Sequence, residues 1–309
     1  MQPLGYILIA IGVFVVFVAA PLLIIFWCIF SRKKNSTFTS EGHVRAYHVP
    51  YADRLKASED RIKTLPFHEV HMTARDGTVL AGLYLDGGYD KTAIMLHGYR
   101  ADPKEPFFVY GERMNKAGYN LLLPWHRAHG KSGGKYTMLG LQEQYDIVDW
   151  IEWEDVHANI SKILLVGLSM GSTTIEYASD KINNAKVCAM ILDSGFSSPY
   201  EQLMCDFKKR HTPGAILMPA ITMLVRILYH FDIRKTVYDS LKNTTIPAFF
   251  VHGDADESVS VEYGLRSYQS CASDKELFVA RGANHTMGFV TASENEWGNL
   301  FGFINKFII

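Results

Sequence analysis

The longest uniform pattern in the chain is an apolar run at its start. From Pro3 to Phe30 no charged residue occurs, and the segment after Pro3 reads LGYILIAIGVFVVFVAAPLLIIFWCIF. As a helix this run is about 40 Å long, enough to cross a ~30 Å hydrocarbon core with some tilt. A cleaved secretory signal is the alternative, with Ala19 and Ala20 as a small-residue cleavage site. Against it, no Lys or Arg precedes the run, and apolar residues continue beyond Pro21 to Phe30. The pattern therefore predicts an uncleaved transmembrane anchor over residues 1–31, kinked at Pro21. Arg32, Lys33 and Lys34 follow it directly. The positive-inside rule then predicts a single-pass protein of the cell membrane with its large C-terminal part in the cytoplasm.

Beyond the run the pattern changes period. Residues 32–65 are polar and mixed, and read as a juxtamembrane connector with one short helix. FHEVHMTA and TVLAGLYL alternate around Arg75-Asp76-Gly77, which predicts a hairpin. Short, nearly continuous apolar segments then recur: 92–98, 119–124, 161–167, 186–193, 246–253 and 275–281. Between them, residues 104–117, 139–156, 172–178 and finally 294–307 carry helical spacing. Strands that are apolar on both sides and alternate with helices predict a mostly parallel sheet covered on both faces, an α/β fold. Residues 195–245 break this rhythm and read as a small helical cap inserted into a catalytic domain of residues 66–309. A second membrane segment at 214–231 is the alternative, weakened by its length and by Pro219 and Arg226. No internal repeat is evident.

Composition narrows the choice of partners. The chain has 31 basic and 32 acidic residues among 309, so nothing favours nucleic acid or another polyanion. Cys28, Cys188, Cys205 and Cys271 are scattered, without disulfide-framework or metal-ligand spacing. Sequons at Asn35, Asn159, Asn243 and Asn284 read as chance matches.

The candidate chemistry centres on Gly167-Leu168-Ser169-Met170-Gly171. A G-x-S-x-G match alone is common, but this one follows the strand KILLV and precedes the helical STTIEYA. That strand–turn–helix setting is what a nucleophile elbow demands. Glycines flank Ser169 because larger side chains would collide with neighbouring backbone in so tight a turn. A serine nucleophile needs a base, and the base needs an orienting carboxylate, in chain order serine, acid, histidine. Downstream of an acid at 254–256 the only histidine is His285, in GANHTM. The acid candidate is Asp256, in VHGDADESV, with its neighbour Asp254 as rival. Two backbone N–H groups should bind an oxyanion, those of Met170 and Tyr99. His97 more naturally orders the Tyr99 loop than moves protons.

Over residues 66–309 these motifs resemble the α/β-hydrolase superfamily: LHGY the oxyanion loop, GLSMGS the elbow, HGDADESV the acid loop and GANH the histidine loop. LDSGFSS resembles the strand and loop that precede a cap. The resemblance is to single-domain serine hydrolases near prolyl-oligopeptidase-like, serine aminopeptidase-like and esterase members, several of which carry an N-terminal membrane anchor. It favours Asp256 over Asp254, and implies hydrolysis of carboxylic esters of small-molecule or lipid-like acyl substrates, with no cofactor and no metal. An amidase or peptidase on short peptides is the alternative activity. A non-catalytic, membrane-tethered binding protein on the same scaffold is the alternative class. One departure is notable. The family commonly reads D-x-R-G-H-G-x-S where this chain has PWHRAHGKSGG, so Trp125 is available to pack against substrate or against the core.

Overall fold

The computed structural model describes Tyr6, Val16 and residues 19–32, 46–102 and 108–308. Each continuous apolar segment forms a strand. These are β1 (His68–Thr73), β2 (Val79–Leu85), β3 (Lys91–Leu96), β4 (Asn120–Pro124), β5 (Lys162–Leu168), β6 (Val187–Asp193), β7 (Ala248–Gly253) and β8 (Lys275–Ala280). They make one sheet in the order β1-β2-β4-β3-β5-β6-β7-β8. The β1–β2 and β2–β4 pairs are antiparallel, while every pair from β4 to β8 is parallel.

Period-two alternation divides the strand residues between two cores. Ile163 and Leu165 face one core with Ile94, Met190 and Phe250, under Ile147, Trp150 and Ile175. Leu164, Val166 and Leu168 face the other with Met95, Ile191 and Val251, under Tyr110, Trp297 and Phe303. The covering helices are α3 (Phe108–Lys116), α4 (Glu143–His157), α5 (Met170–Ala178), α9 (Val261–Ser270) and α11 (Glu294–Asn305). A capping box of Ser293 and Glu296 starts α11. Between β6 and β7 the chain inserts α6 (Pro199–Lys209), α7 (Gly214–Tyr229) and α8 (Tyr238–Leu241), in the span read as a cap. A short helix, α10 (Gly288–Thr291), follows the histidine loop.

The region before the sheet bears on two expectations. Within residues 32–65, read as a connector with one short helix, a 3₁₀ turn at Ala46–Tyr51 leads into α2 (Ala52–Thr64), whose Ile62 is buried. Ser58 of α2 donates a hydrogen bond of 2.7 Å to Glu112 on α3, so this segment belongs to the fold. The second concerns the apolar run. Its last part forms α1 (Ala20–Phe30), with Pro21 in the first turn, where an N–H has no helical partner to lose. Among the described residues no helix is long and apolar enough to cross a membrane. The anchor expected over residues 1–31 falls largely on residues 1–18, which apart from Tyr6 and Val16 lie outside the described residues. Alpha-helix α1 itself packs on the domain, with Phe26 and Phe30 buried. Thr137 N donates to the Phe30 carbonyl at 2.9 Å, and Arg32 donates to the Ser132 carbonyl at 2.6 Å.

Trp125 resolves the departure at PWHRAHGKSGG. Its side chain is buried in its own loop, lying where a Cβ on Gly130 would come within 2.1 Å of the indole. Gly130 also has φ +43°, a conformation costly to other residues. The loop is pinned by Arg127, which meets the buried Asp146 through two hydrogen bonds, at 2.8 and 2.5 Å. Gly130→Ala therefore lowers stability by about 2 kcal/mol or more, from steric overlap and backbone strain together. Urea denaturation measures this, and an unchanged midpoint contradicts the packing role assigned to Trp125.

Candidate active site

The strand order reverses between β4 and β5, around β3. In an open parallel sheet the crevice at such a reversal, beyond the strands' C-terminal ends, is where ligands bind. The end of β3 supplies His97, Gly98 and Tyr99, and the end of β5 supplies the elbow.

Ser169 has φ +55° and ψ −116°, a strained conformation for a non-glycine residue. The neighbouring glycines are required by contact. A Cβ on Gly167 would lie 2.5 Å from the Ser172 nitrogen, and one on Gly171 would lie 1.9 Å from the Leu96 carbonyl oxygen. Ser169 N donates to the Asp193 carbonyl at 2.8 Å, which ties the elbow to β6. The hydroxyl is thereby presented at the start of α5.

The three residues expected to act together come together. Ser169 Oγ is 3.0 Å from His285 Nε2, and His285 Nδ1 is 2.7 Å from Asp256 Oδ2. Asp256 Oδ1 accepts the N–H groups of Ser258 and Val259, both at 2.8 Å. Burial alone raises the Asp256 carboxyl, but hydrogen bonds from His252 and His285 outweigh it and hold the group well below the usual carboxylate range. The rival Asp254 is exposed and accepts the Gly282 N–H at 2.6 Å, closing a turn away from the imidazole.

The two expected backbone donors come from the elbow and from the loop after β3. The Met170 N–H opens α5, where a helix has no internal acceptor for it. Gly98 lies against the serine, since a Cβ there would be 3.4 Å from Ser169 Cβ, and this brings Tyr99 beside it. The Tyr99 hydroxyl turns away from the site and donates to the Ile29 carbonyl at the end of α1.

A buried histidine cluster supports that loop. His97 and His126 rings are 4.6 Å apart, and His97 and His129 rings 5.2 Å. His97 Nε2 accepts His126 N–H at 3.1 Å, and His129 Nε2 accepts Arg100 N–H at 3.0 Å. An acceptor nitrogen must be unprotonated, so these rings are neutral. Burial, with His126 and His129 adding to it, pushes His97 well below its ordinary value, and burial pushes His126 down to about 4. His97 thus orders the loop and makes no contact with the serine hydroxyl.

Sequence reasoning missed a second carboxyl beneath the site, although LDSGFSS contains it. Asp193 is fully buried at the end of β6 and accepts the Tyr110 and Ser194 hydroxyls, both at 2.8 Å. Ser194 Oγ in turn accepts the Thr286 N–H at 3.2 Å, bracing the residue after His285. Burial raises the Asp193 carboxyl. The described residues hold no group of three His, Cys, Asp or Glu side chains able to bind a metal ion.

No protein-family model matches the chain. It is 27% identical over 181 residues to the uncharacterized protein YqkD of Bacillus subtilis, covering 56% of this chain and 57% of that one. It is 27% identical over 164 residues to the human protein ABHD12B, covering 50% of this chain and 42% of that one. The matches thus span about half the length of these relatives. Among solved structures it is similar to the Pyrococcus furiosus esterase Pf2001, with TM-score 0.67, 23% identity, and 91% of this chain and 98% of that one covered. The fold is the α/β-hydrolase fold.

The histidine cluster has a signature in acid. His126 has a folded value near 4 against an ordinary 6.5, so the unfolded chain binds its proton first. Its stabilising contribution is complete above pH 6.5 and is lost as pH falls from there toward 4. The stability advantage of the natural chain over a His126→Gln variant is therefore largest at neutral pH and shrinks across that window. Paired thermal melts at pH 7.5, 6, 5 and 4 test this, and a constant difference contradicts neutral burial of His126.

Proposed function

We propose that the chain is a serine hydrolase that cleaves carboxylic esters through an acyl-enzyme intermediate. The observation that carries this is the continuous path from Ser169 Oγ through His285 to the buried Asp256. Ser169 Oγ attacks the ester carbonyl carbon while its proton passes to His285 Nε2. The carbonyl oxygen becomes an oxyanion held by the Met170 and Tyr99 N–H groups. His285 then gives the proton to the departing alkoxide. Water, deprotonated by the same imidazole, attacks the acyl-enzyme; the acid leaves and the proton returns to Ser169. Asp256 accepts a hydrogen bond from Nδ1–H throughout and stays ionised, fixing the tautomer and compensating the imidazolium. Similar folds in solved structures include enzymes described as esterases, which supports the ester class by analogy.

The proposal includes a location. Residues 1–18 together with α1 form one apolar run without charge, long enough to anchor the chain in a membrane. The basic residues Arg32, Lys33 and Lys34 favour a catalytic domain on the cytoplasmic side.

Two measurements test these assignments. A fluorophosphonate probe labels the natural chain and leaves Ser169→Ala unlabelled; a folded natural chain that resists labelling counts against any serine hydrolase. On p-nitrophenyl esters, Asp256→Asn lowers kcat by about 10⁴-fold, whereas Asp254→Asn leaves it nearly unchanged. Equal losses would return the two aspartates to parity, and turnover of aminoacyl anilides alone would replace the esterase by a peptidase. For the location, membranes washed with alkaline carbonate retain the full chain, and its release identifies a peripheral protein instead.

A further inference from the structure

Alpha-helix α7 is apolar on two opposite faces. Met218, Ile221 and Val225 are fully buried against the domain. Ile216, Met223 and Ile227 follow one another at spacings of seven and four, which align them on the opposite face, and they are 77%, 64% and 59% exposed. A helix apolar all round needs cover on all sides. The neighbouring element indicates what supplies it. Phe26 of α1 stacks on Tyr229 at the end of α7, with ring centroids 6.1 Å apart. Leu23, Ile24 and Trp27 of α1 are exposed as well, so two helices that touch each other both present apolar side chains outward. The chain that enters α1 is the uncharged stretch from Pro3 to Ala19.

Charge is distributed to match. From His211 to Phe231 there is no acidic residue, while Lys208, Arg210 and Arg226 are exposed along the cap. Basic groups around an apolar face suit anionic headgroups around a hydrocarbon interior. Trp27 stands five residues before Arg32, the order of an aromatic belt and its basic flank at a membrane boundary.

We propose that the outer faces of α1 and α7 form one membrane-docking surface, with α7 lying in the bilayer interface rather than facing water. The occupant is a lipid bilayer, because this surface continues from the apolar run and has no acidic residue to oppose anionic lipid. The consequence for substrate rests on the hydrolase reading above. The oxyanion loop meets the end of α1 through Tyr99 and Ile29, so the site lies at bilayer level and is placed to take acyl esters of lipids.

The test uses the full chain in vesicles of phosphatidylcholine and phosphatidylglycerol, with Cys28→Ser and Cys205→Ser removing the more accessible native thiols. A polarity-sensitive bimane is attached at Met223→Cys, or at Val156→Cys, which is exposed on α4 and serves as the aqueous control. At 223 the emission shifts to the blue and is quenched by doxyl-labelled lipid; at 156 neither occurs. Equal, water-like emission at both positions overturns the proposal. Shielding at 223 that grows with protein density but is not quenched by doxyl lipid also overturns it, and assigns the face to a second copy of the chain. With Ile216→Glu and Ile227→Glu together, hydrolysis of a long-chain ester in vesicles falls by about tenfold or more, while soluble p-nitrophenyl acetate is turned over as before. Equal turnover of the vesicle ester by this variant and the natural chain overturns the proposal. If no ester is hydrolysed by any variant, the hydrolase reading fails, and the quenching result still decides the docking surface.

Discussion

The site depends on one strained residue and the lack of space around it. Ser169 holds a positive φ that serine alone would not choose. Neighbouring backbone on three sides keeps it there: the Asp193 carbonyl accepts its N–H, Leu96 of β3 crowds Gly171, and the first turn of α5 crowds Gly167. Each contact comes from a different element, so the conformation requires the pairing of β5 with both β3 and β6 to be complete. The sheet order is thus part of the site. A fold that placed β4 beside β5 would bring no oxyanion loop to the serine, whatever the motif said.

The same crowding settles the electrostatics. Two carboxyl groups lie beneath His285, and their environments separate them. Asp256 collects two backbone N–H groups and two histidines, and stays ionised. Asp193 has only neutral hydroxyl donors in a fully buried site, and its carboxyl is raised. One is therefore suited to face an imidazolium. The other works through hydrogen bonds that hold the histidine loop in shape, by way of Ser194 and Thr286. The division follows from which donors reach each oxygen, not from distance along the chain.

That difference explains what could be read from residues alone. The strands were legible because burial on both faces demands continuous apolar runs, and Ser169 and His285 because their motifs sit at strand ends. Choosing Asp256 over Asp254 needed a resemblance, since two aspartates one residue apart look alike until the turn is drawn. Alpha-helix α9 was not foreseen, because it is only ten residues long and the residues it buries are the small Gly264 and Ser267, which do not register as apolar. Alpha-helix α2 was read only as a short helix without bounds, because its charged surface outweighs the buried Ile62. Trp125 was ambiguous in the same way: an indole facing substrate and an indole facing its own loop have the same sequence. Only the vacancy at Gly130 distinguishes them.

The end of α1 shows how an element outside the catalytic motifs still reaches the chemistry. A helix C-terminus leaves carbonyl oxygens without internal partners and concentrates negative potential there. In this chain the partners are Arg100, which donates to the Cys28 carbonyl, and Tyr99, which donates to that of Ile29. Arg100 also gives its backbone N–H to His129, inside the neutral histidine cluster. The residue proposed to bind the oxyanion through its backbone is thus held through its side chain by the last turn of the apolar run. A shift of α1 relative to the sheet must either move Tyr99 or part its hydroxyl from the part-buried Ile29 carbonyl. The oxyanion loop and α1 therefore behave as one rigid piece, and the position of the run is a constraint on the geometry of the site.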